Sequence, residues 1–137
     1  MNKRILILGA LTCITIAGIW LYPTTRETAD NGATMVNVTI PPNLEAVAEG
    51  LLAFNENCAA CHGENASGSN GNGPPLIHKI YEPGHHGDMA FILAAKNGTR
   101  AHHWKFGDMP PVEDISDTEI KKIIAYVRKL QRANGIN

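Results

Sequence analysis

The chain has 137 residues and a formal net charge of −1. That leaves room for one modest domain plus an N-terminal extension, and no electrostatic case for a nucleic-acid partner. Aromatic residues make up 6% of the chain, thin for a soluble core of this size, so something else is needed to fill the interior.

Asn2-Lys3-Arg4 is a short positive start, and residues 5–22 then run without a charge. A signal-peptide core is about 7–15 apolar residues, whereas a spanning helix takes about 17–25. The run fits the short end of a span, with Trp20 and Tyr22 where interfacial aromatics belong, and no clean small-residue cleavage site follows. Residues 1–22 are therefore expected to be a signal anchor, single-pass in the inner membrane. The other reading is a signal peptide, whose cleavage would leave a soluble periplasmic protein. Lys3 and Arg4 stay on the cytoplasmic side by the positive-inside rule, which places the rest in the periplasm. Residues 23–42 form a polar linker closed by Pro41-Pro42. Within it Val36, Val38 and Ile40 alternate, either as a short extended segment lying along the domain or as part of a solvated tether.

Residues 43–59 have the helical period, with Leu44, Val47, Leu51 and Phe54 at three- and four-residue spacing. Gly50 inside that pattern costs up to about 1 kcal/mol relative to alanine, which points to a close approach there. The helix leads into Cys58-Ala59-Ala60-Cys61-His62. Two thiols at this spacing can each add to a vinyl group of one porphyrin, and the adjoining imidazole can ligate its iron. This is the attachment signature of c-type haem. A redox disulfide or half of a zinc site also uses Cys-x-x-Cys. However, the third cysteine, Cys13, lies in the apolar N-terminal run, and nothing reads as a βαβ unit. One covalent haem c is expected, and its porphyrin makes up the deficit of core aromatics.

Residues 63–73 are a Gly/Asn/Ser loop that ends in Pro74-Pro75. Tandem prolines stiffen the chain and leave carbonyls without competing amides, so a carbonyl here can orient the His62 ring through Nδ1. A second helix is predicted over residues 88–96, capped by Asp88 and stopped by Asn97-Gly98. The irregular stretch 100–111 contains Met109-Pro110-Pro111. Ser116-Asp117-Thr118-Glu119 is a capping box that opens the last helix, to about residue 133. Ile120, Ile123, Ile124, Val127 and Leu130 form its apolar stripe, and Lys121, Lys122, Arg128, Lys129 and Arg132 are read as its solvated face.

Residues 43–137 resemble a class I cytochrome c. The likeness rests on the Cys-x-x-Cys-His signature, on Gly50 and Phe54 ahead of it, and on Ile124-Ala125-Tyr126. Gly73-Pro74 and Met109-Pro110-Pro111 complete it. The resemblance implies an all-α cytochrome c fold, with three to four helices around one covalently bound haem, here preceded by an N-terminal membrane helix. It implies Tyr126 packed on Gly50, a His62–Pro74 carbonyl bond, His62 and Met109 as the two iron ligands, and Arg100 and Trp104 as donors to a haem propionate. Trp104 as a plain core aromatic remains the other reading.

Met109 sits in a proline-stiffened loop and is the chosen sixth ligand. Met89, at helical spacing, is expected in the core. His78 and the pairs His85-His86 and His102-His103 compete with Met109, and the two pairs with Met89 and Met109 raise a copper site as a third reading, against which adjacent histidines point in different directions. The expected function is a periplasmic electron carrier and not an enzyme, serving redox partner proteins such as a membrane oxidase or reductase. The rival is a haem-based small-ligand sensor or peroxidase with an open or labile sixth site.

Overall fold

The computed structural model describes residues 31–137, so the apolar run 5–22 and the anchor expected there lie outside the described residues. Among the described residues no helix is long and apolar enough to cross a membrane.

The helices are α1 (Ala48–Asn57), α2 (Ala59–His62), α3 (Asp88–Asn97) and α4 (Asp117–Ala133). Short 3-10 turns occupy Leu44–Val47, Glu64–Ala66 and Lys79–Tyr81. No strand forms among the described residues; Thr34 with Ser69, Ser69 with Gly73, and Thr99 with Met109 make isolated antiparallel bridges. The all-α expectation for the haem domain agrees with this.

The first helix is shorter than its periodicity predicts. Residues 44–47 wind as a 3-10 turn entered through Asn43 at φ 66°, and Val47 leaves helical geometry at φ −129°, ψ 20°. At the other end Cys58 breaks the backbone at φ −126°, ψ −33°, so the signature spans the end of α1 and the single turn of α2. Apolar spacing reports which side faces the core and is blind to such breaks.

The core is the crossing of α1 and α4. Phe54, Tyr126, Val127 and Leu130 are fully buried there, and burial of each aliphatic or phenyl side chain contributes about 1.5–3 kcal/mol. The Phe54 and Tyr126 rings meet at 5.5 Å with a 55° tilt, an arrangement that suits their quadrupoles. The Tyr126 hydroxyl donates to Asn65 Oδ1 at 3.1 Å, which ties the crossing to the loop after the signature. The capping box forms as the sequence predicts: the Glu119 amide donates to Ser116 Oγ at 3.2 Å, and the Ser116 amide to Glu119 Oε2 at 3.0 Å.

Three local expectations fail for long-range reasons. Asp88 is not a cap, because Gly87 holds that place without a side-chain bond; Asp88 Oδ1 instead accepts from Arg128 Nε at 2.9 Å. Arg128 is not on a solvated face but 7% exposed. Its guanidinium donates to the carbonyls of Tyr81 (2.7 Å) and His86 (2.6 Å) and to Gln131 Oε1 (2.6 Å), and lies 4.8 Å over the Phe91 ring. Met89 is 63% exposed, since α3 turns Phe91, Ile92 and Ala95 to the core.

The segment after residue 31 lies against the domain. The Val36 amide donates to the Ser67 carbonyl (3.1 Å), and Asn134 exchanges two bonds with the Thr39 backbone, at 2.8 and 2.9 Å. Val36 and Val38 pack on the core.

Candidate functional site

Between the signature, α3, α4 and the loop 97–110 lies a cavity of about 530 Å³, inside the range of roughly 300–1,000 Å³ usual for ligand and cofactor sites. All seven residues singled out from the sequence line it: Cys58, Cys61, His62, Pro74, Arg100, Trp104 and Met109. Its walls are mostly apolar, with Leu76, Phe91, Leu93, Ile120 and Ile123 among them. Sequence reasoning missed Phe91 and Leu93 as wall residues and Tyr81 as a polar group at the cavity; the last lies in a stretch without periodicity.

The signature starts at Cys58, between α1 and α2, and continues through α2. Its thiols are free, Cys58 half-buried and Cys61 exposed. Burial, and then the neighbouring Cys61, pushes the Cys58 thiol up to about 11. His62 Nδ1 lies 2.9 Å from the Pro74 carbonyl. Burial holds the imidazole below its usual pKa, against the opposing pull of that bond. A carbonyl only accepts, so in the neutral ring Nδ1 carries the proton and Nε2 keeps its lone pair.

Met109, which lines the same cavity, is held by backbone. Its amide and carbonyl exchange bonds with Thr99, both at 2.9 Å. Gly98 makes this possible: it closes α3 at φ 71°, and a β-carbon there would stand 2.5 Å from the Met109 carbonyl oxygen. The Val112 amide donates to the Ala95 carbonyl at 2.8 Å, which fastens the chain beyond the two prolines to α3.

Trp104 carries the clearest sign of a missing partner. Its Nε1 is buried without a hydrogen bond. The indole stands near enough to Tyr81 to offset part of the rise that burial imposes on the phenol, yet outside hydrogen-bond geometry. A buried donor left alone costs about 1–3 kcal/mol, so an acceptor in the cavity is called for. The residues fit a haem: two thiols, an imidazole with a free Nε2, a thioether, apolar walls and an orphaned N–H for a propionate.

The four paired histidines, expected to diverge, converge instead. Residues 85–86 and 102–103 come from two loops, and the ring centroids of His85 and His103 are 5.4 Å apart, those of His86 and His103 5.2 Å. The His103 pKa is held down by ring desolvation first, then by His102, His86 and His85.

The family model for cytochrome c matches residues 47–131, more than half of the chain. The chain belongs to the cytochrome c family. Membership brings haem c as cofactor and haem-based electron transfer as the class of activity. This cytochrome c is similar to the cbb3-type cytochrome c oxidase subunit CcoP of Azospirillum brasilense, 37% identical over 91 residues, which cover 62% of this chain and 28% of the relative. The CcoP subunit of Cereibacter sphaeroides is 36% identical over 85 residues, covering 61% of this chain and 27% of the relative. The FixP subunit of a Bradyrhizobium species is 40% identical over 85 residues, covering 61% and 27%. The chain thus spans under a third of the length of these relatives. No solved structure gives a significant match.

Proposed function

We propose that this cytochrome c carries one covalently attached haem and serves as a membrane-tethered electron carrier facing the periplasm, delivering electrons to or taking them from a membrane terminal oxidase. The apolar run 5–22 behind Lys3 and Arg4 supports the tether and the side. The similarity to cbb3-type oxidase subunits supports the partner.

In this reading Cys58 and Cys61 would hold the haem by thioether bonds, and His62 and Met109 would ligate its iron. Trp104 and Arg100 receive a propionate. When bound, the group supplies a reversible one-electron ferric/ferrous couple. The chain keeps the ligands in place during that change. The Pro74 carbonyl orients His62, and the Thr99–Met109 bridge, braced by Gly98, limits how far the thioether can move. The apolar walls exclude water, and thioether ligation favours reduced iron.

The observation that carries the reading is the His62–Pro74 bond and a backbone-clamped Met109 lining one apolar cavity. The test is the absorption spectrum of the haem-loaded protein, oxidised and reduced, with carbon monoxide. Expected are a weak far-red band in the oxidised form, lost in Met109→Ala, and a reduced spectrum indifferent to carbon monoxide. A far-red band that survives Met109→Ala reassigns the ligand. A rapid carbon monoxide shift in the unmodified protein replaces the carrier reading with the sensor or peroxidase reading.

A further inference from the structure

We propose that His85, His86 and His103 form a binding site for one divalent, imidazole-preferring transition-metal ion at the rim of the cavity. The ligand nitrogens these residues offer all lie within 4.8 Å of one another. A tetrahedral ion with nitrogens at roughly 2.0–2.1 Å needs them at about 3.4 Å, so closure takes a movement of about an ångström. His85 and His103 are exposed and their side chains can make it; His86 is the fixed member.

The fixed member is prepared as metal-binding histidines are. His86 Nδ1 lies 2.7 Å from the Ile80 carbonyl, which puts the proton on Nδ1 and leaves Nε2 as the ligand atom. Its own carbonyl is held by Arg128, and its amide donates to the Glu82 carbonyl at 2.8 Å. The positive charge of Arg128 is paired with Asp88, which reduces its repulsion of a cation. On the other loop His102 Nδ1 lies 2.7 Å from the Arg100 carbonyl, and its ring stacks on His86 at 5.9 Å. His102 stands outside the trio because only His85, His86 and His103 bring their ligand nitrogens within 4.8 Å of one another.

The donor set selects the class of ion. Three imidazoles without a carboxylate suit zinc, copper(II) or nickel and give magnesium or calcium no reason to bind. Three protein nitrogens leave at least one coordination position for water or an incoming group. The ion would join the loop after Pro83 to the loop before Trp104, both of which border the cavity.

The full-length haem-loaded chain in detergent, stripped with a chelator, is titrated with zinc and, separately, with copper(II) by calorimetry, and zinc K-edge absorption is recorded on the zinc product. One zinc per chain, three or more nitrogen ligands at about 2.0 Å and no competition from excess magnesium are expected. His85→Gln and His103→Gln should each weaken binding by more than about tenfold, and their combination should abolish it. His102→Gln should keep one zinc per chain. The haem spectrum of each variant reports intact folding. Absence of zinc and copper binding overturns the proposal, as does a K-edge spectrum without the histidine nitrogens, or zinc retained by the double variant.

Discussion

Gly50 and Lys122 meet backbone to backbone where α1 crosses α4. A β-carbon added at Gly50 would stand 2.1 Å from the Lys122 carbonyl oxygen and 3.1 Å from Tyr126 Cβ. The partner atom is main chain inside a helix and cannot swing aside. Gly50→Ala therefore forces the helices apart despite alanine's better helix propensity. Overpacking of this kind costs about 1–3 kcal/mol, and the loss is expected in urea unfolding of the haem-loaded protein. Stability equal to the parent's would show that the crossing is looser than the geometry says.

Arg128 should matter far more than its position off the apolar stripe implies. Its removal leaves the Tyr81 and His86 carbonyls and Gln131 Oε1 without that donor; the Tyr81 carbonyl keeps its bond from Gln131 Nε2 at 3.0 Å. Arg128→Met should cost about 2–3 kcal/mol, on the scale of buried acceptors left bare. Lys121→Met, on the exposed side, should stay within about 0.5 kcal/mol. Equal effects would return Arg128 to the solvated face.

Trp104→Phe removes the orphaned indole N–H and keeps an aromatic ring. If that donor serves a propionate, the haem-loaded variant loses a charge-assisted bond, and its unfolding free energy should fall by about 1–3 kcal/mol. Unchanged or raised stability would show that Nε1 has no acceptor in the loaded protein.

The start of α4 should give the protein part of its acid sensitivity. The Ser116 hydroxyl, then its amide, holds the Glu119 carboxyl below its usual pKa. Lys96, through a hydrogen bond and then its charge, does the same for Asp117. Both pKa values are lower folded than unfolded, so their stabilisation is present above the unfolded values and is lost as pH falls through the folded ones. Glu119→Gln should flatten the stability–pH curve on that acid limb and leave its slope near neutrality unaltered. A parent-like acid slope in the variant would place the sensitivity elsewhere.

Chemistry written in neighbouring residues is legible from the amino-acid order. The spacing of Cys58, Cys61 and His62, the Ser116–Glu119 box and the isoleucine stripe of the last helix are relations within a few residues. Backbone geometry carries these directly into space. The resemblance to class I cytochromes c adds Gly50, Tyr126, Pro74 and Met109, and the folded chain places them where they touch or share one cavity.

Other features depend on segments far apart in the chain. Arg128 is buried because Tyr81 and His86 bring carbonyls to it, and Asp88 faces Arg128 instead of capping its own helix. Two histidine pairs that diverge as dipeptides converge because the loops carrying them close over the same rim. Trp104 shows its orphaned N–H only once everything packed around it is in place. The cofactor chemistry and the helices that present it follow from amino-acid order, because covalent spacing and local hydrogen bonding are short-range. Which charges are buried, where Met109 is clamped and how the histidines gather follow from the folded chain, because they depend on which distant backbone groups need partners once it has packed.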